Sequence, residues 1–100
     1  MLIFLSVLEL PDALEDIKLS YEKVKQAKEL IIGLKQTTKA IEQNAVSEVI
    51  IAKDADSFVI ERIVTLASSK GIPITYVDSK RKLGKACGID VHAATCGIKK

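Results

Sequence analysis

Residues 49–56 read Val49-Ile50-Ile51-Ala52-Lys53-Asp54-Ala55-Asp56. The first four are apolar without interruption, the pattern of a strand covered on both faces and placed at a sheet centre. The aspartates stand where a strand hands over to a helix, with Asp54 as a turn residue and Asp56 as a suitable N-cap. Phe58, Val59, Ile63, Leu66 and Ala67 then follow at helical spacing up to Gly71, predicting a helix with an acidic start and a glycine stop. Next, Ile72 to Val77 reads as a strand, with Pro73 near its beginning, where a missing N–H is tolerated. Ser79 caps a short helix from Lys80 to Cys87 that ends at Gly88. The loop Ile89-Asp90-Val91-His92 leads into a last apolar run, Ala93 to Ile98.

On the N-terminal side, Leu30-Ile31-Ile32 is a short apolar run closed by Gly33, which reads as a buried strand ending in a tight turn. A helix is expected from Lys35 to Gln43, burying some combination of Thr38, Ala40 and Ile41, with Asn44 in the left-handed position after it. Further back, Leu14, Ile17, Tyr21, Val24, Lys28 and Ile31 fall at helical spacing. They allow one long helix or two, and Ser20 as N-cap favours a break there. Leu2 to Leu8 suits a short strand, and Pro11-Asp12 a helix start. Strands alternating with helices need crossover connections, so the fold class is α/β: a three-layer α/β/α sandwich on a four-stranded mixed sheet.

The chain has 100 residues, 48% hydrophobic and 28% charged, which suits one folded domain with one core. Its net charge of +2 is unevenly spread: residues 1–19 sum to −3, leaving +5 for the rest. Lys80, Arg81, Lys82 and Lys85, with Lys99 and Lys100, allow one positive face or, equally on charge alone, an ordinary solvated lysine-rich surface. Cys87 and Cys96 lack Cys-x-x-Cys spacing, and His92 is the one histidine, too few soft ligands for a structural zinc site. Both cysteines are expected to be reduced, packed thiols of a cytoplasmic protein. The apolar start, Met1 to Leu10, has no basic n-region and is interrupted by Glu9, far short of the ~20 apolar residues that cross a bilayer. Neither a metal, a cofactor nor a membrane partner is expected.

The segment richest in chemistry is Gly33-Leu34-Lys35-Gln36-Thr37-Thr38-Lys39. A lysine in the first turn of a helix opposes the positive end of the helix dipole, so an anion there would compensate both. Free N–H groups at a helix start are natural anion ligands, and Gly33 lets a ligand backbone come close. Lys35 and Lys39 project from one face, and Gln36 beside them offers a donor and an acceptor for a base edge. An ordinary polar helix surface is the competing reading. Neither Gly-x-x-x-x-Gly-Lys-Ser/Thr nor Gly-x-Gly-x-x-Gly occurs, and Gly84 and Gly88 suit close packing and a helix stop better than a phosphate cradle. Asp54 lies where open α/β sheets place their sites, but it has no evident acid, base or nucleophile partner. Phe4, Tyr21, Phe58 and Tyr76 are scattered, two of them on predicted core stripes, which argues against readout by base stacking.

From Ser20 to Ile98 the sequence resembles the kink-turn-binding ribosomal proteins of the L-seven-Ae and L-thirty-e superfamily, and within it the small bacterial YbxF-type branch. The resemblance rests on Ile32-Gly33-Leu34-Lys35-Gln36-Thr37-Thr38-Lys39-Ala40, on residues 49–56, on Gly71-Ile72-Pro73, and on Lys82-Leu83-Gly84-Lys85-Ala86-Cys87-Gly88-Ile89-Asp90-Val91. It implies a noncatalytic RNA-binding protein whose second helix enters the widened major groove of a kink-turn, beside its tandem sheared G·A pairs. By that resemblance Gly33 permits close approach, Lys35 and Gln36 meet guanine edges, Lys39 makes a polar or phosphate contact, and Thr37 belongs to the same contact segment. Ile89, Asp90 and Val91 correspond to the apolar loop that packs on the flipped-out nucleotide of the bulge. Archaeal relatives carry Asn-Glu where Lys35-Gln36 stands here, and His92 replaces a residue that is often small. The expected partner is structured RNA containing a kink-turn, in ribosomal RNA or an mRNA leader, or the ribosome itself, with no DNA and with a monomeric protein. Residues 1–19 are set apart as an N-terminal extension of uncertain status and 20–100 as a single domain. A protein-interaction scaffold of the same fold, working through that extension, is the alternative.

Overall fold

The computed structural model describes residues 19–100, so the readings of Leu2 to Leu8 and of Pro11-Asp12 lie outside the described residues. Its elements are a helix over residues 19–26 (α1), β1 (Leu30–Ile32), α2 (Leu34–Glu42), β2 (Val46–Ala52), α3 (Ser57–Ser69), β3 (Ile74–Val77), α4 (Lys80–Cys87) and β4 (Thr95–Lys99). The strand order is β1-β4-β2-β3. β4 runs antiparallel to both β1 and β2, and β2 is parallel to β3, so the expected mixed sheet is present. Three strands therefore point one way with β4 reversed among them. That polarity has a consequence for the site: the starts of α2, α3 and α4, each following one of those strands, gather at one end of the sheet.

β2 occupies the centre, and the two-sided burial read from its sequence holds: Val49, Ile50, Ile51 and Ala52 are all fully buried. Alternate residues serve opposite layers. Ile50 and Ala52 pack with Val24 of α1 and with Leu83 and Ala86 of α4, while Val49 and Ile51 pack with Ala40 and Ile41 of α2 and Ile63 and Ala67 of α3. These two apolar layers on one sheet are the α/β/α sandwich.

Asp56 caps α3 by accepting from the Phe58 N–H at 3.0 Å, and Ser79 caps α4 by accepting from the Arg81 and Lys82 N–H groups at 3.1 and 3.2 Å. Gly33, Gly71, Gly88 and Asn44 all take positive φ at element ends. Ser20 is not an N-cap: residues 19 and 20 are both helical, and Ser20 is buried one turn before Val24. Lys28 and Ile31 leave the helical stripe because α1 ends at residue 26 and Ile31 joins β1. Phe58 is 63% exposed rather than part of the core stripe; the inner face of α3 rests on Ile63 and Ala67. β2 begins at Val46, earlier than its apolar run, because β4 pairs with it through a register shift between Val46 and Glu48.

α1 is tied to the start of α4 by Tyr21, whose hydroxyl donates to Asp78 Oδ1 at 2.5 Å while the Ser79 N–H donates to Tyr21 Oη at 3.3 Å. The Tyr21 hydrogen bond, with help from Lys82, holds the Asp78 carboxyl below the usual carboxylate range. Burial, with the Asp78 hydrogen bond, pushes the Tyr21 hydroxyl above its usual value. Asp78, with its depressed folded value, contributes stability that is present above the unfolded carboxylate pKa and is lost as pH falls through the folded one. Tyr21, with its raised value, contributes stability that is lost only on the alkaline side. Tyr21→Phe is expected to cost about 1 kcal/mol at pH 7. In denaturant titrations that gap should shrink toward pH 3, as Asp78 protonates; an equal gap at both pH values would show that the hydroxyl's contribution does not depend on the Asp78 carboxylate.

Candidate nucleic-acid interface

Two segments converge on the end of the sheet where the helices start. The first is the β1–α2 junction. Gly33, at φ 95°, ψ 160°, is the N-cap of α2 and offers no side-chain cap; the first turn holds no acidic residue. This leaves a helix start with uncompensated N–H groups and a lysine in its first turn, a combination suited to a negatively charged ligand. Lys35, Gln36 and Lys39 are exposed on α2. Thr38, Ala40 and Ile41 face inward, as their spacing predicts.

Thr37, expected in the contact segment, does not share the exposure of Lys35, Gln36 and Lys39. Its side chain is fully buried, its Oγ1 donates to the Ile31 carbonyl at 3.4 Å, and its N–H donates to the Gly33 carbonyl at 3.0 Å. With both polar groups committed and no surface exposed, it cannot touch a ligand. It instead fastens the first turn of α2 to β1, and so positions Lys35 and Gln36.

The second segment is the loop from Gly88 to Ala94, between α4 and β4. Val91 is 66% exposed at its outer side, Asp90 and His92 are exposed, and Ile89 is half-buried against the α1–α4 core. The loop is closely tethered. The Ile89 N–H donates to the Gly84 carbonyl at 3.1 Å, the Ala93 N–H to the Lys80 carbonyl at 2.9 Å, and the Ala52 N–H to the Ala94 carbonyl at 2.9 Å. Gly84 presses so closely on the loop that a Cβ built there would stand 2.0 Å from the Val91 carbonyl oxygen. The packing reading of Gly84 is thus correct, and its partner is the loop itself. Arg81, Lys85, Ile89, Asp90, Val91 and His92 line a depression of about 230 Å³ beside it.

β4 joins the two segments. Its first residue, Thr95, accepts the Gly33 N–H at 3.1 Å through its carbonyl, and its buried Oγ1 donates to the Ile50 carbonyl at 2.8 Å. The turn of β1 and the mouth of the loop are therefore held at neighbouring strand ends by direct hydrogen bonds. The sequence reading missed Thr95, whose only signal was a hydroxyl inside an apolar run. It also missed Asp54 as a staple: its carboxylate accepts the Lys80 N–H at 2.8 Å, which accounts for that residue structurally.

The single positive face that the lysine clusters allow divides in two. Lys80, Arg81 and Lys85 belong to the site end, whereas Lys99 lies at the far end of β4 and pairs with Glu29 at 3.3 Å. Lys82 pairs with Asp78, also at 3.3 Å. Among the described residues no cluster of three His, Cys, Asp or Glu side chains could hold a metal ion, and no helix is long and apolar enough to cross a membrane.

The described domain is thus a three-layer α/β/α sandwich whose uncapped, lysine-bearing helix start stands beside a loop with an exposed valine. Residues 15–100 match the ribosomal protein L7Ae/L30e/S12e/Gadd45 family, and the chain belongs to it. An RNA-binding protein of Halalkalibacterium halodurans is 62% identical over 82 residues, which are 82% of this chain and all of that protein. The RNA-binding protein YbxF of Geobacillus stearothermophilus is 49% identical over 80 residues, 80% of this chain and 98% of that one. Among solved structures, the 15.5kD RNA binding protein of Giardia lamblia superposes with a TM-score of 0.72 at 29% identity, covering 88% of this chain and 73% of that one.

Proposed function

We propose that this protein is a noncatalytic RNA-binding protein that recognises a kink-turn in ribosomal or regulatory RNA, with residues 20–100 as the binding unit. The observation that carries the reading is the junction at the sheet end, where the Gly33 N–H bonded to the Thr95 carbonyl sets the open start of α2 beside the 88–94 loop. Relatives named as RNA-binding proteins, 62% and 49% identical, supply the partner class.

In this reading Gly33 allows a nucleic-acid backbone close to the helix start, and Lys35 and Gln36 reach guanine edges in a groove widened by sheared pairs. Lys39 takes a phosphate one turn later. Ile89 forms the base of the loop, Val91 offers its exposed apolar surface to an unstacked base, and Asp90 accepts from an amino group or a 2′-hydroxyl. Thr37 acts from beneath, by holding α2. The protein acts in the cytoplasm as a monomer, on free structured RNA or on the ribosome.

Val91→Ser tests the loop half of the site. Val91 is 66% exposed, so the change is expected to alter folding stability by under about 0.5 kcal/mol. In titrations against a kink-turn RNA it should weaken binding roughly tenfold, the equivalent of one lost apolar contact of about 1.4 kcal/mol. Wild-type affinity in this variant would remove the loop from the interface.

A further inference from the structure

A second cationic surface adjoins the start of α2. Leu34, Lys35, Thr38, Lys39 and Glu42 form one stripe of that helix, and together with Arg62 of α3 they line a depression of about 430 Å³. Three cations thus face a single carboxylate. The ion pairs among the described residues are Lys23–Glu48, Lys82–Asp78 and Lys99–Glu29, none of which engages Lys35, Lys39 or Arg62. Unpaired like charges on one helix face repel mildly, as Lys35 and Lys39 do at a spacing of four, and Arg62 adds a third from the neighbouring helix. A guanidinium whose five donors lack protein acceptors, beside two lysines, is a ready partner for a phosphate. The wall of the depression carries a second, independent sign. Thr38 is 8% exposed, and its Oγ1 is buried with no hydrogen-bond partner. Buried polar groups are normally satisfied, so an isolated hydroxyl here marks a place where an acceptor is missing.

We infer that the groove between α2 and α3 is a phosphate subsite of the RNA interface, in which Arg62 and Lys39 clamp a backbone phosphate of the strand leaving the helix-bound groove. The inference rests on the RNA-binding reading above and extends it from α2 to α3, an element that reading leaves unused. Continuity favours RNA over a separate anionic ligand, because Lys35 and Lys39 line the groove and also flank Gln36 at the helix start.

The test is the salt dependence of kink-turn RNA binding by the full chain, measured between about 50 and 200 mM salt, a range over which phosphate contacts are readily counted. Arg62→Gln, Arg62→Lys and, as a distant control, Lys70→Gln at the opposite end of α3 are compared with wild type. Arg62→Gln should lower the slope of log affinity against log salt by about 1 and weaken binding about tenfold at low salt. Arg62→Lys should restore most of the slope, and Lys70→Gln should match wild type. The melting temperature of Arg62→Gln should stay level or rise, since a repelling charge has gone. An unchanged slope in Arg62→Gln, with tight RNA binding retained, overturns the subsite and leaves the RNA-binding reading standing. A weaker affinity with an unchanged slope and a lowered melting temperature makes Arg62 structural and overturns it as well. Failure of the wild type to bind the kink-turn RNA is a different result: it overturns the functional reading, and the subsite with it.

Discussion

Gly84→Ala is expected to loosen the protein and to disable the RNA interface together. The new Cβ would stand 2.0 Å from the Val91 carbonyl oxygen, 3.1 Å from the Val91 carbonyl carbon and 3.3 Å from the Ala93 nitrogen. All three are backbone atoms, so no side chain can swing aside; either α4 or the loop must move. The loop is held to α4 through Ile89 and Ala93 and to β2 through Ala94, so the displacement strains hydrogen bonds at each tether. Overpacking of this kind costs about 1–3 kcal/mol, against which alanine returns up to about 1 kcal/mol as a better helix former. With a backbone approach of 2.0 Å placing the cost at the upper end, the net loss, about 2 kcal/mol, should lower the melting temperature by roughly 8–16 °C in a domain of this size. Because Val91 is carried away from its position, RNA affinity should fall more than tenfold. Thermal denaturation and an RNA titration measure the two effects; a variant with wild-type values in both would show that the approach of α4 to the loop is not what positions Val91.

The double substitution Lys35→Ala with Gln36→Ala is expected to separate binding from stability. Both side chains are exposed in the first turn of α2, and neither takes part in an ion pair or hydrogen bond of the fold. Alanine is at least as good a helix former, and removing a lysine from the positive end of the helix dipole is mildly favourable, so folding stability should hold within about 0.5 kcal/mol. RNA affinity should fall about a hundredfold, the equivalent of about 2.7 kcal/mol for two specific polar contacts. Circular dichroism melts alongside a titration with kink-turn RNA read both quantities. A loss below threefold would place the recognition surface away from the start of α2.

The features legible in the sequence were those governed by local chemistry. Val49 to Ala52 announced a doubly covered strand because nothing polar interrupts it, and all four residues are buried. Asp56 and Ser79 announced their helices because a short oxygen-bearing side chain before a helical stripe can satisfy its first N–H groups, and both do. What escaped the sequence depends on partners distant along the chain. Val46 to Glu48 join β2 through pairing with β4 across a register shift, which the alternation of Val46-Ser47-Glu48 alone does not specify. Helical spacing placed Phe58 on an apolar stripe, but the packing angle of α3 leaves it outside.

The candidate site divides in the same way. The Gly33 turn, the exposed Lys35, Gln36 and Lys39, and the loop were readable because glycine and clustered polar residues mark a helix start and a connection. Thr37 was assigned to the surface with its neighbours, yet the helical turn rotates it under α2 toward β1. Thr95 and Arg62 went unread, since their roles arise only when β4 is placed beside β1 and α3 beside α2. Lys99 was grouped with the loop cations by charge alone, whereas the direction of β4 carries it to the opposite end of the sheet.

A gel-shift titration of the full chain at two salt concentrations tests kink-turn recognition directly. It uses a kink-turn RNA and the same RNA with its sheared G·A pairs replaced by Watson–Crick pairs. Kink-turn recognition requires tight binding to the first at both salt concentrations and weak, salt-sensitive binding to the second, because base-edge and shape contacts persist when phosphate contacts are screened. Equal, weak and salt-sensitive binding to both RNAs would contradict it and would mean that this family member keeps the fold without the kink-turn specificity.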